Sequence, residues 1–248
     1  MTKETVGTPP RARRRPRLST AVVEDLVNLI VAGTYPVGTA LPPENMLCEM
    51  YEVSRTVVRE ATTALIEKGL VVTQQGRGTI VRENQAWNML DPVILSALFK
   101  GEDGLRYLDN LSQVRVLLES EMAANAAREG TNEQREELAV QIEKLEELVT
   151  IPSAYVHEDL RFHDIIMRMS GDRLSKAIID GIQSEALRTH AYSGKLSVEH
   201  VKLTQAAHRK VFDAIMARDP DAAGAAMREH ISGSWTKRRT DSVRKAQG

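Results

Sequence analysis

Asp159, His163, His208 and His230 are the residues whose types and spacing could do chemistry in this chain. Asp159 and His163 stand at i and i+4, so on a helix their side chains converge on one side, a spacing that can grip a single metal ion. His208 lies in Ala207-His208-Arg209-Lys210-Val211-Phe212 and His230 in Met227-Arg228-Glu229-His230-Ile231, two further helical stretches. One carboxylate and three imidazoles form a borderline ligand set, suited to Zn(II), Ni(II), Mn(II) or Fe(II). On spacing alone an Asp-x-x-x-His pair is more often a surface ion pair than a ligand set, and the sequence alone does not show that the four residues meet. A second pair, Arg55 and Arg59, is one helical turn apart, and guanidinium forks in that register suit guanine edges or phosphates in a DNA major groove.

The elements that must position the two arginines lie in residues 18–82. An amphipathic helix over 18–32, with Ser19 as its cap, is followed by a turn rich in glycine and proline. A short helix around 44–51 leads through the tight turn Glu52-Val53-Ser54, and Ser54 is a good N-cap for a second helix running to about Lys68. On that helix Val58, Ala61 and Leu65 form one apolar face, which leaves Arg55, Thr56 and Arg59 outward near its N-terminus. The stretches 70–73 and 79–81 alternate as two short strands joined through Gln74-Gln75-Gly76-Arg77-Gly78. Gly76 lets the backbone approach a phosphate or the minor groove, with Arg77 at the tip as charge donor. Any one piece reads equally as an ordinary helix pair or hairpin, but their order is that of a winged helix-turn-helix.

Residues 83–91 read as a linker, with Trp87 expected to pack at the domain junction. From 92 onward helix periodicity dominates, giving helices near 92–99, 104–129, 132–150, 152–170, 173–193, 197–218 and 220–239. Gly101, Gly104, Gly130, Pro152, Gly171, Gly194 and Pro220 fall at the proposed boundaries. The fold class is therefore mainly α: a winged helix-turn-helix over 18–82, then an all-α bundle of six to seven helices over 92–240. Residues 1–17 and 241–248 are expected to be disordered tails. The first is basic and proline-rich, and fits an arm along DNA phosphates or a solvated tail equally well.

A chain of 248 residues with 42% hydrophobic content is long enough for two domains. The net charge of −1 divides unevenly: residues 1–82 hold 11 Lys and Arg against 8 Asp and Glu, while the remainder is acidic, 22 against 26. A basic bias confined to the N-terminal part agrees with DNA contact there and a different task downstream. No apolar run reaches membrane-span length and the N-terminus lacks a signal-peptide stretch, so no membrane partner and a cytoplasmic location are expected. A single cysteine, Cys48, excludes an internal disulfide or a cysteine zinc cage and is expected to pack. An Asp/His₃ site with open positions could also serve a metal-dependent hydrolase or oxygenase. Against that stand the absence of His-Glu-x-x-His, of a phosphate-cradling glycine loop and of a Gly-x-Ser-x-Gly elbow, so an enzyme is not expected.

Three strings carry a family resemblance: Leu41-Pro42-Pro43-Glu44-Asn45, Val53-Ser54-Arg55-Thr56-Val57-Val58-Arg59-Glu60-Ala61 and Gly76-Arg77-Gly78-Thr79. They resemble the DNA-binding domain of the GntR superfamily of bacterial transcription regulators, with Pro43 in place of the usual Ser and Asn45 in place of the usual Arg. The resemblance implies DNA contacts from Asn45, Ser54, Arg55, Thr56, Arg59, Gly76 and Arg77. Downstream, Arg115-Val116-Leu117-Leu118-Glu119, Asp159-x-x-Phe162-His163, His208-x-x-Val211-Phe212-x-Ala214-Ile215 and Met227-x-x-His230-Ile231 look like the signatures of the FCD effector-binding domain of the FadR-type subgroup. That resemblance implies a divalent ion, zinc first among the candidates, held by Asp159, His163, His208 and His230, with Ala207 departing from the Glu that commonly precedes the third ligand.

It also implies that Arg115 points into the same cavity, a two-point receptor for a carboxylate beside the metal; on spacing alone Arg115 pairs with Glu119. Tyr192, Arg188 and His190, near another helix end, could reach the rest of an effector, while His157 and His200 read as surface residues. The function implied is a ligand-responsive regulator, a homodimeric repressor released from a pseudo-palindromic operator with TGGT and ACCA-like arms by a small carboxylate. The string Trp87-Asn88-Met89-Leu90-Asp91-Pro92 resembles that of members answering to sugar acids, which places the effector in that class.

Overall fold

The computed structural model describes residues 17–189, 192 and 196–246, with backbone alone for residues 17 and 241–246. The expected basic arm over 1–16 lies outside them. The chain divides into two compact units, Met1–Val93 and Ile94–Gly248. Among the described residues no helix is long and apolar enough to cross a membrane.

The first unit holds α1 (Arg17–Val31), α2 (Glu44–Tyr51), α3 (Arg55–Glu67), β1 (Val71–Gln74) and β2 (Gly78–Val81). α1 begins before Ser19, which is an interior residue of the helix and not its cap. Val22, Leu26, Val27 and Ile30 form its buried face, against which α3 sets Val58, Ala61 and Leu65, all buried. α2 is tied to α1 by the Tyr51 hydroxyl, which donates to Asp25 Oδ2 at 2.6 Å. Cys48, in α2, is only half-buried.

The turn between α2 and α3 is made by Glu52 in the left-handed region at φ 52, a conformation that costs a non-glycine residue roughly 1–2 kcal/mol. Ser54 then caps α3 by accepting from the Val57 N–H. β1 and β2 pair antiparallel in the register Val71↔Val81 to Gln74↔Gly78. At the hairpin tip Gly76 takes φ 73, which an L side chain would resist. Backbone bonds from Leu41 N–H to Thr79 O (2.8 Å) and Val81 N–H to Thr39 O (2.9 Å) lay the segment before α2 along the hairpin's outer edge.

The second unit carries α4 (Pro92–Lys100), α5 (Gly104–Glu129), α6 (Asn132–Glu147), α7 (Pro152–Met169), α8 (Arg173–Ala186), α9 (Val198–Met216) and α10 (Pro220–Ala246). α5 is the hub: α7, α8, α9 and α10 all pack on it. The starts follow local chemistry: Thr131 and Gln134 form a reciprocal capping box before α6, Ser197 caps α9, and Pro152 and Pro220 occupy the first turns of α7 and α10.

Two expected boundaries are corrected. α8 stops at Ala186 rather than at 193, and the Thr189 hydroxyl donates to the Ala186 carbonyl at 2.7 Å, taking an acceptor the next helical turn would use. α10 runs to Ala246, so residues 241–246 are helix and not tail; no glycine or proline interrupts the chain between Gly233 and Gly248.

One buried cation holds the ends of two site-bearing helices. Arg135 donates to the carbonyl of Ile215 near the C-terminus of α9 and, at 2.8 Å, to that of Ala127 near the C-terminus of α5. Both carbonyls lie at the negative ends of helix dipoles, which a cation stabilises. Arg135→Leu is expected to destabilise the folded chain by on the order of 2 kcal/mol, read as a lower denaturant midpoint. An unchanged midpoint would show that the two helix ends do not need the guanidinium.

Candidate metal centre and nucleic-acid interface

Four helices bring the ionisable residues of the second unit together. α7 supplies Asp159 and His163, α9 supplies His208, α10 supplies His230 and α5 supplies Arg115 and Glu119. The three imidazoles are buried, and one ring nitrogen from each falls within a cluster spanning no more than 4.8 Å. His230 Nε2 lies 3.1 Å from both His163 Nε2 and His208 Nε2. Asp159 stands at the edge of this cluster, its Oδ1 3.3 Å from His208 Nε2.

The surrounding hydrogen bonds decide which ring nitrogen carries each proton. Gln205 Nε2 donates to Glu146 Oε2 at 2.9 Å, so Gln205 Oε1 is the acceptor for the Tyr155 hydroxyl, also at 2.9 Å. With its proton committed there, the Tyr155 oxygen accepts from His208 Nδ1 at 3.0 Å. His163 Nδ1 lies 2.6 Å from Glu119 Oε2 and donates to it. Burial works against a charge on Glu119, but the Arg115 guanidinium and the hydrogen bond from His163 outweigh that and hold its carboxyl well below the usual range. His163 and His208 are thus both held with the proton on Nδ1, and their bare Nε2 lone pairs face the same point.

That arrangement fits a cation. A single N–H on His230 Nε2 can satisfy one of the two facing lone pairs and leaves the other opposed, whereas a metal ion satisfies the Nε2 lone pairs of all three imidazoles at once. Two metal–nitrogen bonds of about 2.0–2.1 Å, at angles between octahedral and tetrahedral, separate their nitrogens by about 2.9–3.4 Å, the range in which both nitrogen pairs fall. Burial foremost, with the nearby Arg115 guanidinium acting the same way, lowers His208 and His230 well below the ordinary histidine range, so both stay neutral, as ligands must be.

Arg115 makes the pair with Glu119 that its spacing predicts. Its Nε and Nη2 donate to the two carboxylate oxygens of Glu119, at 2.5 and 3.3 Å, and its Nη1 donates to the Tyr192 hydroxyl at 2.7 Å. It also lines a narrow polar cavity with Asp159, His163, His230 and Tyr192. Of the residues named as effector contacts from the sequence, Tyr192 lines this cavity, Arg188 pairs with Glu185 at 3.2 Å, and His190 lies outside the described residues. His200 is buried in the first turn of α9, not at the surface, because it shares that helix's inward face with Val201 and Thr204.

Sequence reasoning passed over Glu119, Tyr155 and Gln205 as parts of the site. The signal was present for each. Glu119 is four residues from Arg115 on the face shared with Met122, Ala123 and Ala126, all buried. Tyr155 precedes Asp159 by one turn on α7, and Gln205 precedes His208 by one turn on α9. Where Ala207 departs from the family pattern, it is Tyr155 that the Nδ1 of His208 meets.

In the first unit Asn45, Ser54, Arg55, Thr56, Arg59, Gly76 and Arg77 are all exposed. Arg59 Nε donates to Glu44 Oε2, at the start of α2, at 3.0 Å. Solvent screens such an exposed pair, so a phosphate or base can compete for the guanidinium. Arg77 Nη1 bonds Gln74 Oε1 at 2.9 Å, which stiffens the hairpin tip.

Comparison with known proteins bears on both units. The profile of bacterial regulatory proteins of the gntR family matches residues 18–81, and that of the FCD domain matches residues 110–233. The chain belongs to the GntR family, in the FadR-type group that carries an FCD domain. An HTH-type transcriptional repressor, NanR, of Enterobacter sp. (strain 638) is 30% identical over 242 residues, covering 94% of this chain and 91% of that one. The galactonate operon transcriptional repressor of Escherichia coli K12 is 27% identical over 213 residues, covering 86% and 93%. A solved structure of Lar of Listeria monocytogenes, described as controlling the agr system, superposes with a TM-score of 0.57 over 91% of this chain and 98% of that one; at 16% identity this shows the fold alone. The chain is thus a ligand-responsive DNA-binding transcription regulator and not an enzyme.

Within this GntR regulator, the hydroxyl of Tyr155 is what fixes the proton on His208. Tyr155→Phe is expected to lower affinity for a divalent ion by about 10–100-fold, measured by competition with a chromogenic chelator, while the thermal melt of the chelated protein shows a folded chain. Unchanged affinity in a folded variant would show that His208 does not need this partner.

Proposed function

We propose that this regulator is a homodimeric repressor whose FCD domain holds one divalent ion, zinc first among the candidates, and that a small sugar-acid-like carboxylate bound there releases it from its operator. The observation that carries the reading is the cluster of three buried imidazoles, two of which, His163 and His230, line one polar cavity with the Arg115 guanidinium. Asp159, His163, His208 and His230 would hold the ion, and its open position would attract a carboxylate oxygen. Arg115, its fork kept in place by Glu119, directs a remaining N–H at the same anion. The galactonate repressor among the relatives supports a sugar acid as the class of effector.

Operator binding falls to the exposed face of α3 and the wing. Arg55, Thr56 and Arg59 read or anchor in the major groove, Asn45 and Ser54 meet the backbone nearby, and Gly76 and Arg77 bring the hairpin to a phosphate or minor groove. A twofold dimer would face two half-sites about one helical turn apart, in a pseudo-palindrome on the bacterial chromosome in the cytoplasm. Release requires the acid to bind a dimer geometry that no longer spans both half-sites more tightly than the one that does.

Arg59→Ala is expected to abolish operator binding, read by fluorescence anisotropy of a labelled duplex, while the metal content of the variant matches the parent; loss of both together would contradict separate sites. In the same assay galactonate is expected to release the metal-loaded protein from DNA and to have no effect on chelated protein. Release that is indifferent to the chelator would remove the metal from the mechanism.

A further inference from the structure

Two neighbours compete for the ring proton of His208. The Tyr155 hydroxyl oxygen lies 3.0 Å from its Nδ1, and Asp159 Oδ1 lies 3.3 Å from its Nε2. Taken by itself the carboxylate pulls harder, because a charge-assisted hydrogen bond is roughly twice as strong as a neutral one. A proton drawn to Nε2 would turn an N–H toward His230, and a nitrogen that bears a proton cannot ligate a metal.

The competition is decided one residue further out. Gln205 is buried on α9, one turn before His208. Its Nε2 faces two groups that can only accept, the Glu146 carboxylate at 2.9 Å and the Ile142 carbonyl at 3.4 Å. Turning the amide over would set its oxygen against both, so Oε1 stays toward Tyr155, 2.9 Å from the hydroxyl. The hydroxyl has one proton and gives it to Oε1. Were His208 protonated on Nε2, its bare Nδ1 would face the phenol oxygen with no proton between them, inside the core. Asp159 loses less when the ring gives it nothing, because it is partly exposed and water can take the place of the N–H.

We infer that Gln205 is a positioning residue: acting through Tyr155, its fixed amide sets the tautomer of His208 against the pull of Asp159, and so chooses the nitrogen that the ring offers to a cation. The tautomer stands on the hydrogen bonds alone; its effect on metal affinity rests on the metal reading given above. Glu146 is exposed on α6, so one hydrogen-bonded line runs from the surface through Gln205 and Tyr155 to His208.

The test is a long-range proton–nitrogen correlation spectrum of the histidine rings in chelated, full-length protein, with the His208 signals assigned by their loss in His208→Gln. The parent is expected to carry the His208 proton on Nδ1. In Gln205→Leu the Tyr155 hydroxyl has no acceptor and turns to Nδ1, so the ring proton moves to Nε2. Gln205→Glu keeps an acceptor toward Tyr155 in either ionisation state and should keep the proton on Nδ1. Zinc affinity, read by chelator competition, should fall about 10–100-fold in Q205L, and Q205L should add no further loss to Tyr155→Phe, since both act through one bond. An Nε2 proton in the parent or in Q205E, an Nδ1 proton in folded Q205L, or losses that add in the double variant would each overturn the inference. An Nδ1 proton that responds to Q205L in a protein that takes up no zinc upholds the role of Gln205 and removes the metal reading. Should Q205L not fold, the parent and Q205E spectra still decide.

Discussion

The organisation of the second unit depends on one electrostatic constraint: three buried imidazoles whose Nε2 atoms are turned toward a common point, with the Nδ1 atoms of His163 and His208 bonded outward. In water such nitrogens would each be hydrated; inside a helix bundle they must be satisfied by one another or by a cation. Glu119 draws the proton of His163 outward, and the run from Glu146 through Gln205 and Tyr155 does the same for His208. These partners come from α5, α6, α7 and α9, so the packing of the bundle and the protonation pattern of the site are one problem. The bundle has an apolar core to enforce it, with Phe162, Ile165, Val211, Ile215 and Met227 packed around the ionisable groups.

Glu119 is the group on which two functions meet. It orients His163 through one oxygen and holds the Arg115 fork through both, and it stays ionised despite full burial because the Arg115 guanidinium and the His163 N–H hold it. A change in what Arg115 grips is therefore felt at His163 through a single carboxylate. That gives a GntR regulator a short physical route between the cavity and the histidine cluster, the kind of connection that the reciprocal coupling of a ligand-responsive switch requires.

Much of this was legible in the sequence, for reasons that can be named. The winged domain announces itself because local chemistry sets it: Ser54 caps α3, Val58, Ala61 and Leu65 repeat at helical spacing, and Gly76 marks the hairpin tip. The pair Asp159 and His163 was readable from spacing, but the arrival of His208 and His230 beside it follows from how α7, α9 and α10 pack on α5 and α6, which no local pattern encodes; family likeness supplied it. Tyr155 and Gln205 were missed because each is an unexceptional polar residue until the fold turns it toward His208. The boundary errors have the same origin in reverse: Thr189 ends α8 through a side-chain bond that propensity does not count, and α10 continues through residues 241–246, whose composition lacks a breaker.

The account stands most directly on the claim that the three imidazoles are arranged for a cation. Elemental analysis of protein purified without a histidine tag, beside an Asp159→Ala/His163→Ala variant, measures this. About one equivalent of a divalent transition metal per chain, absent from the folded variant, is the predicted result. A folded parent protein that carries no metal and takes none up on reloading would contradict the account and leave the histidine cluster as packing alone.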